Sequence, residues 1–257
     1  MKVRILGCGT SSGVPRIGND WGTCNPAEPR NRRYRVSILV SHEDTHILVD
    51  TGPDLRDQLL DGDIHTVDAV IWTHDHADHC HGIDDLRQLY HVHNRPVEGF
   101  ARAATLGELQ RRFGYVFEGK SGYPAIASGN VLPDEIRIGG ITVRTVDQPH
   151  GDITSAGLRF EADGRSIGYS TDFNILTDEM QRLFEDVDLW IVDALRRRPH
   201  PTHPHLAATI QWVGEVRAKR AILTHMDNSM DYRTLLAELP PMIEPGYDGL
   251  EVELQSA

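Results

Sequence analysis

The sequence predicts a layered α/β protein with mixed β-sheets, on three observations. Short apolar runs alternate with amphipathic helical patterns from one end of the chain to the other, which is typical of layered α/β architecture. Several predicted strands follow one another without a helix between them, so their sheets should be mixed rather than purely parallel. The chain has 257 residues, enough to bury roughly three quarters of its unfolded surface around one core. We therefore expect a single domain over residues 1–257.

The predicted elements are placed by the period of the apolar pattern and by the turn residues between them. Strands are predicted at residues 3–6, 36–40, 46–49, 67–72, 141–146, 155–160, 166–169, 189–192, 221–223 and 250–254. Helices are predicted at residues 54–60, 77–90, 105–113, 177–184, 206–219 and 232–239. Residues 13–31 and 118–135 are predicted to be long loops. Long loops in compact domains tend to line functional sites.

Composition and charge exclude several classes of protein. The chain is 39% hydrophobic and 25% charged, which excludes disordered and collagen-like chains. Its 26 Lys and Arg stand against 38 Asp and Glu, a net charge of −12, which argues against long nucleic acids and anionic membranes as partners. Its three cysteines form no C-x-x-C pair, which suits a reducing compartment. Since no secretory signal or membrane-length apolar run is visible, we expect a cytoplasmic protein.

One segment of the chain predicts a metal centre. A strand of buried type ends at Trp72 and is followed by His74-x-His76-x-Asp78-His79 as the chain turns into a helix. Histidines two apart on extended backbone point the same way, and imidazole with carboxylate suits Zn²⁺, Mn²⁺ or Fe²⁺. A pattern of four such residues at this spacing favours a metal site over a solvated, histidine-rich turn. We therefore expect two adjacent sets of ligands.

Three distant residues are expected to complete the two coordination spheres. His150 closes the predicted strand that runs through Val146, Asp172 follows the strand at 166–169, and His225 follows the strand at 221–223. All three lie just past an apolar run, where the loops of an α/β sheet can face a common crevice. They can therefore converge on the histidine-rich segment.

The order of these ligands resembles that of the metallo-β-lactamase superfamily, whose members carry H-x-H-x-D-H, then a single His, a single Asp and a final His. The resemblance covers nearly the whole chain and implies a four-layer αββα sandwich of two mixed β-sheets flanked by helices. It also implies two divalent metal ions. One ion would be held by His74, His76 and His150, the other by Asp78, His79 and His225, and Asp172 would bridge the two.

Further segments are similar to the phosphoribosyl 1,2-cyclic phosphate phosphodiesterases of phosphonate degradation. The similar segments are GCGTSSGVP at residues 7–15, NRRYR at 31–35, LVDTGPDLR at 48–56 and GYDG at 246–249. This similarity implies a Mn²⁺- or Zn²⁺-dependent hydrolase of a small cyclic phosphate ester, with catalytic roles for His203 and Asp78. Two divalent ions about 3.5–4 Å apart lower the pKa of a shared water and present hydroxide to phosphorus. They would also reduce the repulsion between an acidic protein and an anionic substrate.

The loop before the last-but-one predicted helix is expected to supply a proton to the departing sugar oxygen. A His or a carboxylic acid near the metals, but not bound to them, can do so. His203 matches the position that the resemblance assigns to this donor, and His205 is the alternative in the same loop. Arg196, Arg197 and Arg198, beside it, would either clamp a ribose 5-phosphate or form a solvated run of charge.

Other residues near the motif have more than one interpretation. Asp50 follows a predicted strand and resembles the superfamily's aspartate that supports the metal loop, but a turn-forming role fits nearly as well. Asp75 lies between two ligands and would support them too. Cys80 is expected to be a small buried thiol rather than a ligand.

The chain departs from the subfamily's pattern at one point. Characterised members bind a structural zinc through several cysteines of the N-terminal loop and a His three residues after the last active-site His. Here Cys24 stands alone in that loop and position 228 is Asn228. That zinc is expected to be absent, which leaves Cys24 without an assigned role.

Three other functions stay open at this point. A tRNA 3′-processing endonuclease would be expected to add a basic, Gly-rich arm, and a thioester hydrolase of the glyoxalase II type would not explain GCGTSSGVP. A non-catalytic scaffold would not need all seven ligand positions, which are filled here. A homodimer is expected by analogy with the superfamily.

Overall fold

The computed structural model describes residues 1–255 as two seven-stranded β-sheets with helices packed on their outer faces. The strands are β1 (Lys2–Gly7), β2 (Ser37–His42), β3 (Thr45–Val49), β4 (Ala69–Trp72), β5 (Val97–Ala101), β6 (Ala127–Val131), β7 (Glu135–Ile138), β8 (Ile141–His150), β9 (Ile153–Ala162), β10 (Arg165–Ser170), β11 (Leu189–Asp193), β12 (Ala221–Thr224), β13 (Ile243–Pro245) and β14 (Glu251–Glu253). The helices are α1 (Leu55–Asp61), α2 (Ala77–Cys80), α3 (Leu86–His93), α4 (Ala103–Glu118), α5 (Asp178–Phe184), α6 (Leu206–Glu215) and α7 (Tyr232–Glu238).

Both sheets are mixed, as the sequence predicts. The first has the strand order β14-β1-β2-β3-β4-β5-β6, and the second has the order β13-β12-β11-β10-β9-β8-β7. Strands β3 to β6 run parallel to one another in the first sheet, and β10 to β13 run parallel to one another in the second. The other pairs are antiparallel. The carboxyl ends of two parallel groups therefore supply the loops of the site.

The apolar runs of the central strands are continuous because both faces of each sheet are covered. In β2, Ile38 and Val40 lie in the cluster between the two sheets, whereas Leu39 lies in the cluster beneath the helices. The same alternation continues in β4, where Ile71 faces the second sheet and Trp72 faces the helices.

Helices cover the two outer faces. Leu55 of α1, Leu89 of α3 and Leu109 of α4 pack on the first sheet, while Met180 of α5 and Val213 of α6 belong to the core of the second. The layers are helices, sheet, sheet and helices, so the four-layer αββα fold is confirmed. None of the helices in residues 1–255 combines the length and apolar character that a membrane span requires.

The predicted helix at 77–90 is wrong as a continuous element. Helix α2 ends at Cys80, a 3₁₀ turn covers Ile83–Asp85, and α3 begins at Leu86. Gly82 lies at the break, where a Cβ would approach the carbonyl oxygen of Gly52 to 2.0 Å. The chain bends here because the segment after the metal motif packs tightly against the turn that follows β3.

Four strands were not predicted. They are β5, β6, β7 and β13, and β6 lies inside the predicted loop at 118–135, so that stretch is not wholly irregular. Its sequence, ASGNV, carries little strand signal, and it is paired in parallel along β5. Hydrogen bonding to the backbone of β5 outweighs the weak intrinsic preference of these residues for a β-strand.

Candidate metal centre

The predicted ligands lie at or just after the carboxyl ends of strands from both sheets. His74 comes two residues after β4, Asp172 two residues after β10, and His225 directly after β12, while His150 is the last residue of β8. Asp172 and His225 both have φ near 56°, in the left-handed region that non-glycine residues seldom adopt. Such conformations persist only where the surrounding structure enforces them, and they concentrate at functional sites.

The first set of ligands consists of His74, His76, His150 and Asp172, whose candidate ligand atoms all lie within 4.8 Å of one another. Asp172 Oδ1 lies 3.8 Å from His74 Nε2 and 3.6 Å from His150 Nε2. His150 Nε2 lies 3.3 Å from His76 Nδ1. The structure therefore brings together the set that the sequence predicts for one ion.

The second set consists of Asp78, His79 and His225. Asp78 Oδ2 lies 3.4 Å from His79 Nε2 and 3.6 Å from His225 Nε2. The other carboxylate oxygen of Asp172, Oδ2, lies 3.2 Å from His79 Nε2 and 3.5 Å from His225 Nε2. Asp172 thus directs one oxygen to each set, which is the geometry of a bridging ligand.

The residues present fit two divalent ions. Nε2 of His74, His79 and His225 is buried and has no hydrogen-bond partner among residues 1–255. A buried polar atom without a partner costs free energy, and a metal ion that accepts the nitrogen lone pair removes that cost. The surrounding donors are imidazole nitrogens and carboxylate oxygens, which suit Zn²⁺ and Mn²⁺.

The pKa shifts of the ligand side chains also favour cation binding. Burial opposes ionisation of Asp78 and Asp172, but neighbouring histidines hold the pKa of both carboxyl groups well below the usual range. Burial also opposes charge on His79 and His225, but Asp172 and other carboxylates raise the pKa of His79 and raise that of His225 to about 9. The carboxylates thus attract positive charge, and protons compete with cations for the same ring nitrogens.

Asp50 lies directly behind the metal loop and is fully buried. Its Oδ1 accepts a hydrogen bond from the backbone of Thr73 at 2.8 Å, and its Oδ2 lies 2.7 Å from Nδ1 of His79. Because an ionised carboxylate only accepts, Nδ1 of His79 carries the hydrogen and Nε2 is left to bind an ion. The supporting role is therefore the one that the geometry favours for Asp50.

Asp75 and Cys80 stabilise the same loop from the other side. The carboxylate of Asp75 accepts from Arg112 of α4 at 2.7 Å. Cys80 is buried, and its thiol donates to the carbonyl oxygen of His76 at 3.1 Å. Burial raises the pKa of this thiol to about 12, so Cys80 is the buried thiol that the sequence predicts.

His203 is brought to the rim of the cluster. Its Nδ1 donates to Asp193 Oδ2 at 2.9 Å, and its Nε2 lies 3.7 Å from Asp172 Oδ1. Its ring stacks on that of His225 with centroids 4.7 Å apart. His205 is instead the N-cap residue of α6 and pairs with Arg196 in a β-bridge. The geometry therefore places His203, and not His205, beside the ligands.

Asp193 is the residue of the site that sequence reasoning left without a role. It is the last residue of β11, fully buried, and also accepts from the backbone of Asp172 at 3.0 Å. Its position could have identified it from the sequence, because Asp193 ends an apolar strand and the predicted ligands also lie at or just after strand ends. Asp193 fixes both the ring of His203 and the backbone of the bridging ligand.

Of the three consecutive arginines, Arg196, Arg197 and Arg198, two already have partners within the protein. Arg196 donates to the carbonyl oxygens of Arg198 and Pro199, so it organises the loop that carries His203. Arg197 forms an ion pair with Glu238 at 2.8 Å. A phosphate clamp built from this triplet is therefore not preformed.

Cys24 and Asn228 are held within a polar junction between two loops. Cys24 is buried, and the backbone of the neighbouring Thr23 donates to the carbonyl oxygen of Asn228 at 2.9 Å. The side chain of Asn228 donates to Asp20 at 3.1 Å. Hydrogen bonds thus join the N-terminal loop to the segment after His225.

Comparison with known protein families identifies the superfamily to which the chain belongs. A family model described as a beta-lactamase superfamily domain matches residues 45–226, so the chain belongs to the metallo-β-lactamase superfamily. Its histidine and aspartate clusters are the kind of side-chain set that binds divalent metal ions.

Among particular relatives, a solved structure described as a new diphosphatase from the PhnP family is 32% identical, with a TM-score of 0.90. The match covers 99% of this chain and 98% of the other. An octanoyltransferase of Porphyromonas gingivalis is 31% identical over 98% of this chain and 51% of its own length. A ribonuclease Z of Methanopyrus kandleri is 29% identical over 49% of this chain and 43% of its own length. The chain thus spans about half the length, or less, of these two curated relatives.

Proposed function

We propose that the protein is a dinuclear phosphodiesterase that hydrolyses a small cyclic phosphate ester, such as phosphoribosyl 1,2-cyclic phosphate. The observation that carries the proposal is the pair formed by His203 and Asp193 beside the two ligand sets. Hydrolysis of a sugar phosphodiester expels an alkoxide, which needs a proton as it leaves. The similarity to a PhnP-family diphosphatase over nearly the full length of both chains supports a substrate that contains phosphate.

Two divalent ions, when bound, supply positive charge to the phosphate and lower the pKa of the attacking water. The ligands for one would be His74, His76 and His150, those for the other Asp78, His79 and His225, with Asp172 shared. Asp78, which lies 3.4 Å from His79 and 3.6 Å from His225, would also orient the attacking water by accepting a hydrogen bond from it.

His203 performs the proton transfer in this proposal. Asp193 accepts from Nδ1 and so directs Nε2 toward the ligand cluster. As water adds to phosphorus, the bond from phosphorus to one sugar oxygen breaks, and that oxygen takes the proton from Nε2. The proton that the water loses is released to solvent, and His203 takes up a proton before the next turnover. The buried carboxylate of Asp193 stabilises the protonated ring before the transfer. His150 donates from Nδ1 to the carbonyl oxygen of Thr202 at 3.0 Å, which holds the loop in place.

The His203→Ala variant tests this role through the leaving group. On phosphoribosyl 1,2-cyclic phosphate we expect turnover to fall by about 100- to 10,000-fold. On bis-p-nitrophenyl phosphate the loss should be much smaller, because p-nitrophenolate leaves without a proton. Bound metal, measured by elemental analysis, should not change. His205→Ala is the matched control, and equal losses on the two substrates would remove His203 from the role of acid.

A hydrolysis panel with the metal-loaded protein separates this function from its alternatives. The panel contains phosphoribosyl 1,2-cyclic phosphate, 2′,3′- and 3′,5′-cyclic nucleotides, a tRNA precursor and a glutathione thioester. Activity on the thioester alone would overturn the proposal in favour of a thioester hydrolase, and activity on the tRNA alone would favour an RNA-processing nuclease. A metal-loaded protein inactive on the whole panel would favour a scaffold.

A further inference from the structure

Two sequence segments that the proposed mechanism does not use meet beside the metal centre. Residues 7–15 and 31–35 lie side by side, joined by β-bridges from Gly9 to Arg35 and from Val14 to Arg33. The approach is close, since a Cβ at Gly7 would lie 2.0 Å from the carbonyl oxygen of Arg35. The glycines of the first segment therefore allow the second to pack directly against it.

The backbone of Arg35 is fixed while the end of its side chain is free. Its N–H donates to Asp54 Oδ2 at 2.8 Å, and its carbonyl oxygen accepts from Gln58 at 2.8 Å. The Nε atom lies 2.9 Å from the same Asp54 oxygen. Within residues 1–255, neither Nη1 nor Nη2 of Arg35 forms a hydrogen bond. The Nη groups of this side chain, which is 25% exposed, are therefore available to a ligand.

The free end of Arg35 lies beside an exposed turn that carries two hydroxyl groups. The turn is closed by a hydrogen bond of 2.8 Å from the N–H of Gly13 to the carbonyl oxygen of Thr10. A Cβ at Gly13 would lie 3.7 Å from Arg35 Nη1. Ser11 and Ser12, at the centre of the turn, are both exposed.

This turn and Arg35 are attached to the second set of metal ligands. The N–H of Thr10 donates to the carbonyl oxygen of Met226, the residue after His225, at 3.2 Å. On the other side, a Cβ at Gly52 would lie 2.3 Å from the carbonyl oxygen of Asp78 and 3.6 Å from Cβ of Arg35. Arg35 thus lies between the backbone neighbours of two ligands, at the edge of the same site.

One neighbouring arginine, Arg16, is already paired with carboxylates. The guanidinium of Arg16 lies 3.7 Å from Asp227 Oδ2 and 4.0 Å from Asp20 Oδ2. Arg35 has one carboxylate partner, Asp54, which contacts Nε and leaves the Nη groups free. The chain has a net charge of −12. An arginine whose Nη groups are free, beside a predicted dinuclear site, therefore gives an anionic ligand local positive charge.

We propose that Arg35, with the hydroxyl groups of Ser11 and Ser12, forms a subsite for a second phosphate group of the substrate. The inference rests on the proposed function, because it assumes that one phosphate is held at the metals. The guanidinium offers two parallel N–H donors to a phosphate, and such charge-assisted pairs are among the strongest hydrogen bonds in proteins. The subsite would select phosphorylated sugars over their unphosphorylated counterparts.

Binding of two ribose phosphates to the metal-loaded protein tests the subsite without turnover. Isothermal titration gives the Kd of ribose 1-phosphate and that of ribose 1,5-bisphosphate. We expect the second phosphate to tighten binding to the wild-type protein by about 10- to 100-fold. In Arg35→Gln this advantage should be lost, whereas Arg56→Gln, the matched surface variant, should keep it. An advantage in Arg35→Gln equal to that of the wild type would overturn the proposal.

A second variant keeps the test decisive if Arg35→Gln does not fold. Ser12→Asp places a negative charge in an exposed turn, beside the proposed phosphate, and should abolish or reverse the preference for the bisphosphate. An unchanged preference in Ser12→Asp would also overturn the subsite. Because the readout is binding, a protein that hydrolyses no phosphodiester yet shows the Arg35-dependent preference would refute the proposed function and retain the subsite.

Discussion

Two aspartates, Asp50 and Asp248, accept hydrogen bonds from different parts of the molecule. Asp50 accepts hydrogen bonds from the metal loop, where its main side-chain partner is the ring of His79. Asp248 instead accepts from the backbone N–H of Cys8 at 3.0 Å and of Tyr34 at 2.5 Å. It thereby joins the two segments that position Arg35.

Burial raises the pKa of both carboxyl groups, but different groups oppose it. At Asp50 the nearby His79 is the main opposing influence, and at Asp248 it is the backbone N–H of Tyr34. A charged or metal-bound ring can balance a buried carboxylate, whereas neutral amides do so only in part, and the pKa of Asp248 is about 7. Asp50 should therefore control metal binding, and Asp248 should control stability.

The largest expected effect is that of Asp50→Asn on metal affinity. The amide can donate to Nδ1 of His79, which shifts the hydrogen to Nε2 and removes a lone pair from the second ligand set. We expect the affinity for Zn²⁺ or Mn²⁺ to fall by about 10- to 100-fold, as measured by competition with a chelating dye.

Asp248→Asn is the matched control for that measurement, because its partners lie outside the ligand sets. It should bind metal as the wild type does. Equal loss of metal from both variants would show that Asp50 has no specific role in metal binding.

A smaller effect is expected when the turn after Asp50 is made bulkier. In Gly52→Ala the new Cβ would collide with the carbonyl oxygen of Asp78, 2.3 Å away. Overpacking of this kind costs about 1–3 kcal/mol, so thermal unfolding should occur about 2–10 °C lower. Metal affinity should fall as well, since Asp78 must move.

Gly7→Ala is the counterpart on the side of Asp248. Its Cβ would collide with Arg35, so we expect a similar loss of stability with metal affinity retained. Gly107→Ala, on an exposed turn of α4 with no atom within 4 Å, should not lower the unfolding temperature. Loss of metal in Gly7→Ala but not in Gly52→Ala would reverse the assignment of the two regions.

The smallest expected effect is a dependence of stability on pH through Asp248. Its folded-state pKa, about 7, lies above the ordinary value of 3.8. The stability that it contributes is therefore fully present below about pH 4 and is lost as the pH rises through about 7. Between pH 6 and pH 8 the wild type should lose about 1.4 kcal/mol relative to Asp248→Asn, or about 4 °C in unfolding temperature.

Calorimetry of the metal-free wild type and variant across this pH range makes the measurement. The histidines of the metal site titrate in both proteins, so their contribution cancels in the difference. Parallel curves for the two proteins would show that Asp248 is not the source of the dependence.

The ligand sets could be predicted from the sequence because the signals are local. The motif from His74 to His79 follows a strand whose apolar run is visible, and Asp172 and His225 repeat the arrangement of a polar residue past an apolar strand. The helix at 77–90 was wrong because its break depends on contact between Gly82 and Gly52, thirty positions earlier in the chain. No local pattern reports such a contact.

The sequence by itself predicted the layered architecture and the candidate ligands, since strand periodicity and ligand spacing are properties of short stretches of chain. The role of His203 as proton donor was predicted from the family resemblance. Only the tertiary structure decided that Asp193 holds His203, that Arg35 lies at the edge of the site with free donors, and that Asp248 joins Cys8 to Tyr34. Cys8 and Asp248 are 240 positions apart. Their contact depends on how the two sheets close on each other, because packing of the whole chain, and not any local preference, brings such residues within hydrogen-bond distance.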